Sequence, residues 1–239
     1  MIKYSYITQQ GTYHEYTDRP CQDAVKHYEA DGTFGMCVSD GAGSKKQSEI
    51  ASEMIAEIMS KYIVDHFDEL YPLEPKEIKS KVLQQAQEAL KHLEIPYIEA
   101  SCTMQLIGIS GDQYIHCHIG DGGTVVRNSD GVQVMSYPEN GEEKNITYFL
   151  NDITAENHLR IQKGTLKNSD ILITTDGCWD IFYDAINKTI APAVEKIMEI
   201  NKNHETIETE SILQKYAKEL FSKYTGDDMG IGVLSVQMQ

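Results

Sequence analysis

Apolar and polar residues can alternate from Ile2 to Thr8 as a strand, and Ala24 to Glu29 and Phe34 to Ser39 read as two more. Asp31-Gly32 between the last two predicts a turn. From Gln47 the period changes. Ile50, Met54, Ile58 and Tyr62 recur every fourth residue and predict a helix to about Phe67 with those residues on its apolar face. A second helix is predicted from Pro75, a favoured first-turn residue, to about Leu93, marked by Ile78, Val82, Ala86, Ala89, Leu90 and Leu93.

Four strands follow, Cys102 to Ile109, Tyr114 to Ile119, Thr124 to Asn128 and Val132 to Met135, separated by Gly111-Asp112, Gly120 to Gly123 and Asp130-Gly131. Gaps this short suit antiparallel pairs, because a parallel crossover needs about a dozen residues or more. Tyr137 to His158 is polar and irregular and reads as a surface excursion. Strand character returns at His158 to Leu166 and Asp170 to Thr175. Helices are predicted at about Cys178 to Tyr183, Ile190 to Asn201 and Ile207 to Tyr224, and a last strand at Gly230 to Met238. Segregated helices and antiparallel strands predict an α+β layered architecture. First and last strands that can join one sheet favour a single domain over residues 1–239.

Composition narrows the function classes. The 239 residues carry 21 Lys+Arg against 37 Asp+Glu, a net charge of −16. That balance excludes a nucleic-acid surface and disfavours anionic lipid, both of which need a basic face. Met1 to Gln10 lacks the apolar core of a signal peptide, and no segment approaches the roughly 18 apolar residues of a membrane span. Cys21, Cys37, Cys102, Cys117 and Cys178 are odd in number and form no C-x-x-C pair, so neither a disulfide framework nor a cysteine zinc site is expected. A cytoplasmic, monomeric protein is expected. Asn145-Ile146-Thr147 and Asn187-Lys188-Thr189 are then chance glycosylation-like triplets.

The acids themselves show a pattern. Apolar runs end in Asp at Ser39-Asp40-Gly41, Ile119-Gly120-Asp121 and Thr175-Asp176-Gly177; Gly226-Asp227-Asp228 and Gln22-Asp23 precede strands. Asp at a strand end is held on a rigid scaffold, and several at one edge repel unless a cation lies between them. Such all-oxygen sites favour Mg²⁺ or Mn²⁺, and two ions can clamp a phosphate and acidify a shared water. Against this, any single Asp-Gly is more often a turn than a ligand. Asp31-Gly32 and Asp130-Gly131 read as plain turns, and geometry alone leaves the strand-end set open.

The ordered series Cys21-Gln22-Asp23, Val38-Ser39-Asp40-Gly41-Ala42-Gly43, Ile119-Gly120-Asp121, Thr174-Thr175-Asp176-Gly177-Cys178-Trp179-Asp180 and Asp227-Asp228-Met229 resembles the metal-dependent protein phosphatase 2C family, most closely its compact bacterial-type branch. Order and spacing fit from about Gly11 to Val236. The resemblance implies a four-layer α-β-β-α sandwich, two antiparallel sheets flanked by helix pairs with metals at one end. It implies hydrolysis of phosphoserine and phosphothreonine in a phosphorylated protein substrate by a water ionised between two Mg²⁺ or Mn²⁺ ions, with no phosphoenzyme. It further implies that Asp40 bridges both metals, the Gly41 carbonyl ligates the second, and Asp176 and Asp227 hold the first. Asp121 with Asp176 would take a third, weaker ion, and Asp23 would hold metal-bound waters.

Three departures stand out. The family's phosphate-binding Arg falls at Asp18 here, with Arg19 one step away, so either Arg19 serves after a loop shift or the metals hold the phosphate alone. The His that some members carry after the first Asp-Gly, proposed as a general acid, is Ala42; His14 is a candidate substitute, against the reading of a structural His. The closing motif, usually Asp-Asn, is Asp227-Asp228; Asp227 is taken as the ligand and Asp228 as the fallback.

The pairs His116/His118 and His66/His92 invite a zinc reading but lack a nearby third ligand. Glu139 to Lys144 reads as a solvated charged loop. Cys21 and Cys178 are not needed as nucleophiles. The alternative to an enzyme is a catalytically weak or inactive module that binds phosphoproteins, motivated by Ala42 and the displaced Arg. A haloacid-dehalogenase-type reading fails because Ser39-Asp40-Gly41 lacks the Asp-x-Asp motif.

Overall fold

The structure, a computed structural model, describes residues 1–140 and 147–237. Strand β1 (Ile2–Gln9) leads through a short helix α1 (Thr12–Tyr16) to the hairpin β2 (Asp23–Ala30) and β3 (Thr33–Asp40). Helices α2 (Ser48–Asp65), α3 (Phe67–Leu70) and α4 (Pro75–Lys91) come next. Four strands follow, β4 (Met104–Ser110), β5 (Gln113–Ile119), β6 (Gly123–Asn128) and β7 (Gly131–Ser136). Helix α5 (Ala155–His158) precedes β8 (Arg160–Thr165), β9 (Ser169–Thr174), α6 (Asp176–Phe182) and a ribbon of β10 (Tyr183–Asp184) with β11 (Thr189–Ile190). Helices α7 (Pro192–Asn203) and α8 (Thr206–Glu219) lead to the last strand, β12 (Met229–Val236).

The strands form two five-stranded antiparallel sheets, ordered β1-β12-β9-β6-β7 and β2-β3-β4-β5-β8. The first and last strands do share a sheet, with Ile2 opposite Val236 and Gln9 opposite Met229. Period-two alternation builds the layers. Phe34, Met36 and Val38 meet Ile171, Ile173 and Leu234 between the sheets. Cys37 between them turns to the other face, toward Ile55 and Met59 of α2 and Val82 of α4. On the second sheet Leu172 and Val233 turn outward to Val194 and Ile197 of α7 and Leu213 of α8. The result is the expected α+β sandwich, helices outside and two sheets inside.

The apolar face expected for α2 is wrong by one position. Ile50 is 39% exposed, and the fully buried line is Ala51, Ile55, Met59 and Ile63, flanked by Ser52, Ala56 and Ser60. Small residues flank this line because the helix lies almost against the sheet. A Cβ on Gly35 of β3 would overlap the Ser60 carbonyl. Met54, Ile58 and Tyr62 are half-buried at the edge of this contact. Burying Ile55 and Ile63 contributes roughly 1.5–3 kcal/mol each.

Other bounds also shift. The helix expected to reach Tyr224 ends at Glu219 and gives way to a tight 3₁₀ turn, Phe221–Lys223. Helix α1 and the β10–β11 ribbon were not expected; at five and two residues per element they are too short to show a period. Among the described residues no helix is long and apolar enough to cross a membrane.

Candidate functional site

Asp40 is the last residue of β3 and faces Asp23, the first of β2, across the ladder. Its backbone is pinned on both sides: the Asp40 N–H donates to Thr103 Oγ1 at 3.0 Å, and the Asp40 carbonyl accepts from the Thr103 N–H at 2.8 Å. Asp121 follows β5 across Gly120. Asp176 lies past the end of β9, in the first turn of α6, where free amides favour a carboxylate. One carboxylate oxygen from each of Asp40, Asp121 and Asp176 lies within 4.8 Å of the other two. Asp227, in the loop entering β12, lines the same cavity of about 420 Å³, together with Gly41, His14, Gln22, Thr147 and Phe149.

Every acid in this group is held above the usual carboxylate range. For Asp40 burial is the largest cause, followed by the charges of Asp176, Asp23, Asp121 and Asp227. Burial and then Asp121, Asp227 and Asp23 act on Asp176. Burial also leads for Asp121 and for Asp227. Asp23 is pushed up to about 8 by burial and by Asp228 and Asp227, against hydrogen bonds from Thr175 and Asp40. Burial together with mutual repulsion, relieved only at Asp227 by His14, is the electrostatic signature of a place for a cation. Asp121 Oδ1 fits that reading further, being buried with no hydrogen-bond partner, and the donor set is all oxygen.

Hydroxyls that the sequence does not single out hold the acids in place. Thr175 Oγ1 donates to Asp23 Oδ2 at 2.6 Å and accepts from the Gly230 N–H at 2.9 Å, joining β2, β9 and β12. Thr147 donates to Asp121. No spacing rule marks a threonine for such a role.

The two neighbouring acids of the closing motif have different surroundings. Asp228 is 2% exposed and fully engaged. Its Oδ1 accepts from the Gly11 N–H at 2.7 Å, and its Oδ2 from His14 Nδ1 at 2.7 Å and the Gln22 N–H at 2.5 Å. Asp227 is left to the cavity. The loop that carries them presses on α6, and a Cβ at Gly177 would overlap the Asp228 carbonyl oxygen. Gly177→Ala is therefore expected to cost about 1–3 kcal/mol and to weaken Mn²⁺ binding by displacing Asp227. Thermal unfolding and a Mn²⁺ titration check this; an unchanged melting temperature would show that the loop yields freely.

Arg19 is exposed and outside the cavity lining. Its Nη1 donates to the Gly43 carbonyl at 2.7 Å, which places it on the rim formed by the loop after Asp40. Asp18, where the resemblance puts an Arg, has φ 53°, a left-handed turn that Asp tolerates better than most residues.

The Glu139–Lys144 run departs from a solvated loop at its first residue. The Glu139 N–H donates to the Gly120 carbonyl at 2.9 Å, and its carboxylate accepts from His158 at 2.8 Å and lies 3.5 Å from Arg160 Nε. Residues 141–146, which include most of that run and Asn145, lie outside the described residues. His116 and His118 share a face, but their rings meet Thr124 Oγ1 at 3.1 Å and Ser136 Oγ at 2.7 Å between the sheets. Burial and Arg160 push His116 down to about 3, so its ring is neutral. Among the described residues, Asp40, Asp121 and Asp176 are the only gathering of three metal-type side chains. All five cysteines are free, and burial raises the Cys21 and Cys178 thiols, so neither is a thiolate.

Comparison with known proteins agrees with this arrangement. Residues 10–216 match the family described as Protein phosphatase 2C. Serine/threonine-protein phosphatase 3 of Escherichia coli (strain K12) is 28% identical over 181 residues, 72% of this chain and 72% of that protein. The fold is similar to the serine/threonine phosphatase of S. agalactiae, with a TM-score of 0.68 and 14% identity over 99% of this chain and 100% of that one. It is also similar to the catalytic domain of the serine/threonine protein phosphatase PstP in complex with two manganese ions, with a TM-score of 0.59 and 15% identity over 99% and 98% of the two chains. The chain belongs to the protein phosphatase 2C family, and with it to the protein-serine/threonine phosphatase hydrolases.

Proposed function

We propose that the protein removes phosphate from phosphoserine or phosphothreonine of a protein substrate at a centre of two Mg²⁺ or Mn²⁺ ions, with residues 1–239 acting as one domain. The observation that carries the reading is the approach of Asp40, Asp121 and Asp176 oxygens to within 4.8 Å of one another, with every neighbouring charge negative among the leading causes of their shifts. Asp40 would hold both ions, the Gly41 carbonyl the second, and Asp176 and Asp227 the first. Asp121, whose Oδ1 lacks a partner, would share a third ion with Asp176. Bound there, the ions would acidify water and offset phosphoryl charge.

The residues of the chain do the rest. The Thr103 bonds to the Asp40 backbone and the Thr175 bond to the Asp23 carboxylate fix these residues before substrate arrives, so little reorganisation is left for the reaction. Asp23, buried next to Asp40, would orient ion-bound waters as an acceptor. Arg19 would meet phosphate from the rim if it exchanged the Gly43 carbonyl for a phosphoryl oxygen.

Purified protein is expected to hydrolyse p-nitrophenyl phosphate and a phosphothreonine peptide with added Mn²⁺, and EDTA is expected to abolish both. Turnover that survives EDTA would sink the metal-dependent reading. The exposed position of Arg19 favours one second reading, a phosphoprotein-binding module without turnover. Calorimetry with Mn²⁺ separates them: binding heat supports the metal centre, and the absence of any heat would favour the module.

A further inference from the structure

We propose that His14, clamped by Asp228, is the general acid that protonates the departing serine or threonine oxygen; this rests on the phosphatase reading of the cavity. A serine or threonine alkoxide is a poor leaving group, and cleavage of its P–O bond needs a proton at that oxygen. Among the described residues lining the cavity, the non-glycine, non-alanine side chains apart from the carboxylates are His14, Gln22, Ser44, Thr147 and Phe149. Only an imidazole in that set gives up a proton near neutral pH. The carboxylates are required as anions by the cations they would hold.

The geometry suits the role. His14 is 4% exposed, and a carboxylate can only accept, so Nδ1 carries a proton donated to Asp228 Oδ2 at 2.7 Å. That bond fixes the ring and leaves the edge with Nε2 for the cavity that His14 lines. Asp rather than Asn at 228 follows from the same contacts. Its two oxygens serve three donors, Gly11 N–H, Gln22 N–H and His14, and the amide of an Asn would set one N–H against another. The unusual Asp228 and the cavity histidine thus account for each other, and Ala42 leaves this place to His14.

In the step itself, water oxygen bonds to phosphorus as the bond from phosphorus to the Ser/Thr oxygen breaks. The electron pair of that bond takes the proton from His14 Nε2, giving the alcohol and a neutral imidazole, which regains its proton from solvent. Asp228 is a positioning residue, since it acts through the ring.

The test uses leaving-group dependence in Mn²⁺. His14→Gln is expected to lower kcat on a phosphothreonine peptide by about 10²–10⁴-fold and on p-nitrophenyl phosphate by less than about tenfold, because p-nitrophenolate departs without a proton. Retained aryl phosphatase activity also shows that the variant is folded and metallated. Asp228→Asn should show the same split to a smaller degree. Equal losses on both substrates, or an unchanged peptide rate, would overturn the proposal. A series of aryl phosphates on the wild-type protein guards against a variant that fails to fold: a shallow dependence of kcat on leaving-group pKa supports the acid, and a steep one refutes it. If wild type hydrolyses neither substrate, the phosphatase reading itself fails, which is a separate outcome.

Discussion

Asp40→Asn will lower Mn²⁺-dependent turnover by well over about 100-fold, beyond the roughly 10–100-fold cost of losing an outer-shell partner of a metal, and will raise the melting temperature of the metal-free protein. Both effects follow from the same charge. With cations bound, Asp40 would hold both of the proposed ions. Without them it is a buried acid facing Asp176, Asp23, Asp121 and Asp227, and it is held well above its ordinary range. Asparagine keeps the shape and leaves the backbone pairing with Thr103 untouched, since those bonds use the main chain of residue 40. Its amide can also donate to Asp23, which an ionised Asp40 cannot. Each kcal/mol of repulsion relieved is worth roughly 2–4 °C in a chain of this size. Kinetics in Mn²⁺ and calorimetry in EDTA measure the two effects. Wild-type turnover in the variant, or a lower metal-free melting temperature, would remove Asp40 from the centre of the site.

Much of this site was legible because strand-end acids leave a positional mark. Asp40, Asp121 and Asp176 each follow an apolar run, and a strand delivers its last residue to a fixed edge. Asp227 against Asp228 was not legible, because two identical side chains in sequence differ only in direction. Nothing in the local pattern says that Gly11, His14 and Gln22, more than 200 residues away, converge on the second of them. Thr103, Thr147 and Thr175 were missed for a related reason: a hydroxyl is common, and only its partner gives it meaning. In the fold, β3 and β9 read correctly because both faces are buried against different layers, which leaves a short unbroken apolar run ended by Asp-Gly. The face of α2 misled because two apolar rows run side by side along it, Ile50, Met54, Ile58 and Tyr62 beside Ile55, Met59 and Ile63, and the second is the buried one. Close approach to Gly35, where the Ser60 carbonyl and Ile63 touch the sheet, decides between the two rows, and periodicity along the chain does not see it.

The metal-free protein is expected to lose stability between pH 6.5 and pH 8, and Mn²⁺ is expected to reverse this. Asp23, Asp40 and Asp176 all have folded-state values above the ordinary one. Between the unfolded and folded values the native chain holds a proton that the unfolded chain has released, so stability falls as pH rises. For Asp23 the window runs from 3.8 to about 8. The lower part of that window is crossed by an opposing effect. His116, pushed down to about 3, and the buried His118 are neutral when folded, so their contribution to stability grows as pH rises toward 6.5. Above 6.5 the histidine contribution levels off, and the carboxyls set the slope. Over those 1.5 units each acid still protonated when folded costs on the order of 2 kcal/mol. Mn²⁺ at about 100 times its Kd returns about 2.7 kcal/mol, roughly 5–10 °C for a chain of this size. Because the ligands must be ionised to bind, the gain is larger at pH 8 than at pH 6.5. Calorimetry at the two pH values, in EDTA and in Mn²⁺, gives all four melting temperatures. A metal-free value that rises toward pH 8, or a Mn²⁺ gain that shrinks there, would mean that these acids are not the group that binds the ion.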